Sequence, residues 1–353
     1  MILSSRVMRL KLKHTWTISR ASVDDHENIF VSLEHEGITG LGEASFSRRY
    51  GETPESLQEF IETAKPLLAK ANPLHFVEIA EEVYKLHTGQ SSAKAAIDMA
   101  LLDWIGKKFD LPLFKWWGLN PTRTPISSFT IGIDTPEMMQ RKIREAEEFP
   151  ILKIKVGTQQ DEEIMRAVRE VTDKPLRVDA NEGWKTKEEA LERICWLAQF
   201  NIEFVEQPMP ANRLDDVLWL RQQLQHRNIS MPLFADEDSK TSRDLPALAG
   251  VYDGINIKLM KSGGLQEALR MIHLARALDL KIMLGCMIES SVGITAAAHL
   301  APLVDHADLD GHLLISNDPF VGVQMQNGKM TLPEAPGLGV RERWECNGSA
   351  LRS

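Results

Sequence analysis

Ile151-Leu152-Lys153-Ile154-Lys155-Val156 decides the fold, because its meaning depends on what repeats around it. Taken alone, lysines alternating with apolar residues describe a half-solvated antiparallel strand equally well. The run belongs to a series, however. Ile126 to Ile131 precedes it, and Leu176 to Val178, Phe204-Val205, Leu233 to Ala235, Gly254 to Ile257, Ile282 to Gly285 and a weaker Ala307 to Leu309 follow. Amphipathic helical stretches separate these short apolar runs, the mark of repeated βα units and a parallel sheet. Eight such runs fit a closed barrel better than an open doubly wound sheet, which more often has about five or six strands. No Gly-x-Gly-x-x-Gly follows a first strand, so a dinucleotide site has no support.

In a β/α barrel the functional groups gather at the C-terminal strand ends. Here those ends are charged: Lys153 and Lys155, Asp179, Glu206, Asp236-Glu237-Asp238, Lys258 and Asp308-Leu309-Asp310. Charges this near buried strands cost several kcal/mol each unless paired or bound to a metal. Strand alternation puts Lys153 and Lys155 on one face and Leu152, Ile154 and Val156 on the other, so both lysines point into the barrel. Asp179, Glu206 and Asp236 end successive runs and stand side by side around the mouth. Singly each reads equally well as a helix N-cap or turn residue. As a trio they offer hard oxygen ligands suited to Mg²⁺, one ion per subunit. Lys258 ends the sixth run, roughly opposite the second on an eight-strand ring. Two facing lysines suit chemistry in which one base removes a proton and another returns it. Like charge and the nearby cation favour a neutral amine, whereas the metal's acids oppose this.

Upstream, Arg6 to Lys13 and Ile29 to His35 read as strands joined by a polar loop containing Ser19, Arg20 and Asp24-Asp25. Thr53-Pro54-Glu55 supplies an N-cap, a first-turn proline and an acid for a helix to about Lys70. Helical patterns over Phe76 to His87 and Ser92 to Phe109 complete an α+β capping unit, residues 1–122, ahead of a barrel over 123–314. Residues 315–340 are expected to pack back on the cap, with a hairpin turn at Asn327-Gly328, and 341–353 to form a disordered polar tail.

The composition, 43% hydrophobic and 26% charged over 353 residues, is that of a globular protein. A net charge of -9 without any block of five basic residues argues against nucleic acid as a partner. Three cysteines, Cys195, Cys286 and Cys346, lack Cys-x-x-Cys spacing and point to a reducing compartment. With no signal-like or membrane-length apolar run, a cytoplasmic location without membrane contact is expected. Oligomeric state is open.

Lys153-Ile154-Lys155, the acids Asp179, Glu206 and Asp236, and the segment Ile255 to Gly264 together resemble the enolase superfamily, in its muconate cycloisomerase-like branch. The resemblance implies a (β/α)₇β TIM-type barrel under an N-terminal α+β cap. It also implies the chemistry of enolase-superfamily sites, in which Lys or His bases act beside Mg²⁺ that stabilises an ene-diolate. Asp308-Leu309-Asp310 matches the Asp-x-Asp that dipeptide epimerases set against an α-ammonium group, and Thr130, Cys286 and Ile288 fall where that family contacts substrate. Arg20 resembles an arginine that pairs with a glutamate side chain in Ala-Glu epimerases, with Arg48 and Arg49 as alternatives. The resemblance therefore implies L-Ala-D/L-Glu epimerisation by Lys155 and Lys258, with the substrate carboxylate beside Lys153. o-Succinylbenzoate synthesis, cycloisomerisation and a non-catalytic carboxylate-binding role stay open. Asp238 and Cys286 depart from the family's commoner serines.

Overall fold

The computed structural model describes residues 1–343. Three antiparallel strands open the chain, β1 (Ile2–Ile18), β2 (Ala21–His35) and β3 (Ile38–Ala44), in the order β1-β2-β3. The polar loop expected between the first two is instead the far end of a long hairpin that turns at Ser19-Arg20, with a register break between Lys11 and Trp16. Trp16, Thr17, Ile18 and Val23 favour extended backbone. Their polar neighbours pair across the ladder, Thr17 Oγ1 with Ser22 Oγ at 2.9 Å and Thr15 Oγ1 donating to Asp24 Oδ1 at 2.6 Å. The arm reaches the barrel, where the Ile133 N–H donates to the Thr17 carbonyl at 2.8 Å.

Helix α1 (Pro54–Lys70) starts as the sequence requires, with Thr53 and Ser56 capping each other reciprocally. It is followed by α2 (Phe76–Leu86) and α3 (Ser91–Lys108). Nearly the whole circumference of α3 is buried, because β3 covers one side and the barrel another. The approach is so close that a Cβ on Gly40 or Gly42 would lie 1.9 Å from the carbonyl oxygen of Ala100 or Ala96, so no larger residue fits.

Eight parallel strands follow: β4 (Phe129–Ile131), β5 (Leu152–Lys155), β6 (Leu176–Asp179), β7 (Ile202–Glu206), β8 (Leu233–Ala235), β9 (Gly254–Ile257), β10 (Lys281–Gly285) and β11 (His306–Asp308). They pair in chain order, and a bridge between Ser127 and Ala307 brings the two ends together. The barrel with its cap is the architecture expected. Outward residues such as Ile154, Val178, Val205, Ile255 and Leu284 join the main apolar core beneath the helices. Inward residues form a separate plug of Phe204, Phe234 and Met283, flanked by His306 and by the Arg177 guanidinium stacked over Phe204. Period-two alternation places Asp179, Glu206, Asp236 and Asp308 two residues above plug positions Arg177, Phe204, Phe234 and His306.

Cap and barrel are joined by polar anchors. Asp98 on α3 accepts from the N–H groups of Leu265 (2.6 Å) and Gln266 (3.3 Å), capping the helix Leu265–Ala277. Asp103 accepts from the Leu338 N–H at 2.7 Å. The later segment bridges to β1 through Ile315 and Leu12, packs the Phe320 ring tilted against Phe30, and makes a hairpin whose turn, Asn327-Gly328, has both residues at positive φ. Arg341 and Glu342 pair with Phe320 and Val321. Residues 344–353, the rest of the expected tail, and with them Cys346, lie outside the described residues. Cys195 and Cys286 are free thiols. No helix among the described residues is long and apolar enough to cross a membrane.

Fully buried His299 ties the barrel to this later segment, accepting from the Phe114 N–H at 3.2 Å and meeting the Leu338 carbonyl at 3.1 Å through its other nitrogen. Burial pushes it down to about 4 from an ordinary 6.5. The unfolded chain therefore takes up this proton first. The stability contributed is complete above pH 6.5 and is lost as pH falls toward 4, an effect of about 3 kcal/mol. Gln offers one acceptor and one donor but no titration. The expected outcome in urea unfolding is that wild type loses about 2 kcal/mol more between pH 7 and pH 4.5 than His299→Gln does.

Candidate active site

The barrel mouth gathers most of the sequence-chosen residues into one buried cluster. Lys153 and Lys155 both face inward from β5, as alternation requires. The Lys153 ammonium lies 2.7 Å from Glu206 Oε2, 2.8 Å from Asp308 Oδ2 and 3.2 Å from Asp179 Oδ2. Lys155 Nζ lies 2.6 Å from Asp179 Oδ2 and 6.0 Å from the Trp16 ring centroid, so the cap hairpin roofs this lysine. Lys258, across the ring, lies 2.8 Å from Asp236 Oδ2. Burial pulls the Lys258 pKa down, but Asp236 and Glu206 hold it above the ordinary lysine range.

Asp179, Glu206 and Asp236 each offer one ligand oxygen, and these oxygens lie within 4.8 Å of one another. All three carboxylates are buried. Burial pushes Glu206 up, helped by the charge of Asp179, to about 7. Burial acts on Asp179 too, but Lys155 and Lys153 overcome it and hold that carboxyl well below the usual range. A compact set of three hard anionic donors, without sulfur or imidazole, fits Mg²⁺.

Asp308 and Asp310 lie beside this set. Asp308 Oδ1 accepts from Ser128 Oγ at 2.7 Å and from Thr130 Oγ1 at 3.0 Å, and Asp310 Oδ2 accepts from the Thr130 N–H at 2.6 Å. Burial and the charge of Asp308 push Asp310 up to about 7. Cys286 directs its thiol to the Asp308 carbonyl, 3.3 Å away, as a serine could. The Ile288 carbonyl is already occupied, accepting from Asn28 Nδ2 (2.9 Å) and Ser45 Oγ (2.8 Å) of the cap. Asp238 is turned away from the lysines, accepting from Tyr252 OH and the Asn212 N–H.

The cap arginines divide unequally. Arg49 makes a two-pronged contact with Glu182, Nε at 2.7 Å and Nη2 at 2.8 Å, and Arg48 is exposed. Arg20 donates to Glu237 Oε1 at 2.8 Å and to the Asn181 carbonyl at 2.9 Å. Its Nη1 also lies 3.6 Å from Glu182 Oε2, and the two hydrogen bonds use two of its five N–H donors. Asn181 and Glu182, both at positive φ, form a single barrel loop that holds both cap loops. Sequence reasoning missed this loop, Trp16 as a roof, and Lys261, which is buried against Asp236. Lys261 stood in the motif Ile255 to Gly264, but nothing in its spacing indicates where its ammonium points.

Residues 137–345 match the family described as enolase C-terminal domain-like, and residues 4–118 match the mandelate racemase / muconate lactonizing enzyme N-terminal domain. The chain belongs to the enolase superfamily. Among members of the superfamily, it is 46% identical to the L-Ala-D/L-Glu epimerase of Bacteroides thetaiotaomicron, over 94% of this chain and 85% of that one. It overlays the Enterococcus faecalis dipeptide epimerase, solved with Mg and L-Leu-L-Tyr, at TM-score 0.89 and 35% identity, covering 97% of this chain and 99% of that one. The substrate-liganded L-Ala-D/L-Glu epimerase of Bacillus subtilis overlays at 0.90 and 30% identity, covering 97% and 98%.

A cation bound by the trio would stabilise the fold by mass action. Mg²⁺ at about 100 times its Kd adds about 2.7 kcal/mol, seen as a higher Tm that EDTA reverses. The same titration on Asp179→Asn is expected to leave Tm unmoved.

Proposed function

We propose that this chain is an isomerase that epimerises dipeptides, inverting the α-carbon of the C-terminal residue by two-base proton transfer. One arrangement carries the reading: Lys155 on β5 and Lys258 at the end of β9 are four strands apart in an eight-strand ring, facing each other across three carboxylates. Asp179, Glu206 and Asp236 would hold one Mg²⁺ per subunit. When bound, the ion supplies positive charge that makes the proton next to the substrate carboxylate more acidic.

The chain's own groups do the rest. Lys153 holds the carboxylate end of the substrate and opposes the negative charge that grows there as the α-proton leaves. Lys155 takes the proton from one face while Lys258 delivers one to the other, which inverts the centre. Asp308 and Asp310 receive the substrate's α-ammonium, with Thr130 and Cys286 fixing the two acids and Ile288 contributing apolar wall. Arg20 reads the side chain of the inverted residue through its unused donors. L-Ala-D/L-Glu is the favoured substrate, supported by that arginine and by the names of the relatives.

Proton NMR in D₂O with Mg²⁺ and a set of L-Xaa-L-Xaa dipeptides tests this. Wild type should lose the α-proton signal of the C-terminal residue, fastest for Glu, and EDTA should stop it. Lys155→Ala and Lys258→Ala should each exchange the proton of one epimer only, with the other direction slowed by about 10²–10⁴-fold. Arg20→Met should slow L-Ala-L-Glu by about tenfold or more while sparing L-Ala-L-Leu. Exchange that survives EDTA, or both lysine variants exchanging both epimers, would sink the two-base reading.

A further inference from the structure

Within four residues of the strand end, β9 delivers two lysines to one carboxylate. Lys258 approaches Asp236 Oδ2 at 2.8 Å from the side facing the mouth. The chain then makes a single helical turn, Leu259–Ser262, in which the Lys261 N–H donates to the Lys258 carbonyl at 2.9 Å. That turn carries the Lys261 side chain back beneath the same aspartate. Its ammonium contacts Asp236 Oδ1, the Asp236 carbonyl at 2.5 Å, the Asn256 carbonyl at 2.9 Å and the Ser239 carbonyl at 3.0 Å.

Four oxygens around an ammonium with three protons leave it nothing to offer a substrate. With its side chain only 1% exposed, Lys261 has no path to the mouth. It is unsuited to proton transfer, and a lone buried charge would be costly unless the cradle were worth maintaining. What the cradle fixes is specific. The Asp236 carboxylate is held at one oxygen, and the loop from Asp236 to Ser239 is held by two of its carbonyls. The Asn256 backbone is held as well, and the Asn256 side chain donates to Glu206 Oε1 at 2.8 Å. On β10 the register partner of Asn256 is Met283, and the Asn256 amide lies against Gly285, two residues further on, where a Cβ would stand 2.5 Å from Asn256 Oδ1. The glycine therefore leaves room for the amide to take that position.

We infer that Lys261 is a positioning residue for the metal site, fixing Asp236 directly and Glu206 through Asn256, so that two of the three candidate ligands keep their places. This rests on the metal reading proposed above. Groups that orient metal ligands typically contribute about 10–100-fold in metal affinity.

Calorimetric titration with Mg²⁺ alone, without dipeptide, tests the inference on the full-length protein. Lys261→Met keeps the length of the side chain and removes its charge and donors. Lys261→Arg keeps the charge and disturbs the cradle, and it serves should Lys261→Met not fold by circular dichroism. The expected result is a Kd for Mg²⁺ raised about 10–100-fold in Lys261→Met and about tenfold in Lys261→Arg. A Tm that drops in a folded variant while its Kd stays within twofold of wild type would make Lys261 merely structural and overturn the inference. Wild type that binds no Mg²⁺ would instead remove the metal reading itself, a separate failure visible before any variant is made.

Discussion

Charge buried at the mouth of a barrel must be answered by opposite charge within a few ångströms, and that requirement organises this protein. Lys153 touches carboxylates from three different strands. Asp236 is gripped by two lysines, and Asp308 is held by Ser128 and Thr130 as well as by Lys153. Removing one partner would leave another charge stranded where water cannot reach it, a loss of about 3–5 kcal/mol. The cluster is therefore a single unit, and its members act through one another.

The fold meets that requirement with the two-residue period of the strands. The strands give their outward side chains to the apolar core under the helices, and β6, β7, β8 and β11 place Asp179, Glu206, Asp236 and Asp308 one inward step above Arg177 and the plug rings of Phe204, Phe234 and His306. Phe204, Phe234, Met283 and His306 fill the lower level and shut the barrel from beneath. The upper level then has one open side, and the cap covers it. Trp16 comes from the long hairpin, while Arg20 and Arg49 from separate cap loops meet on the barrel loop at Asn181 and Glu182. Because one loop holds both, the positions of the two cap loops are coupled through it.

Much of this was legible in the sequence for a physical reason. Alternation and strand-end position follow from local geometry, so the lysine pair, the three acids and the opposing Lys258 could be placed together from spacing alone. Turn chemistry at Asn327-Gly328 and the cap at Thr53 are likewise local. The reading of the stretch between Lys13 and Ile29 as a loop has a local cause too. Its polar composition matches a loop, and apart from the turn at Ser19-Arg20 only cross-strand pairing, of Ala21 to Val23 with Ile18 to Trp16 and of Asp25 with Lys11, makes it strand.

The residues by themselves determined the barrel, the face on which each strand-end charge lies and the chemical character of the mouth, because each depends on neighbours in the chain. Tertiary structure alone decided which charges pair, since partners such as Lys153 and Asp308 lie more than a hundred residues apart. It also decided that Arg49 is held by both oxygens of Glu182 while Arg20 divides its guanidinium among Glu237, the Asn181 carbonyl and, more distantly, Glu182, and that the ammonium of Lys261 is buried against Asp236 and not out in solvent. Those outcomes depend on burial and on the space left between packed strands, and a sequence pattern records neither.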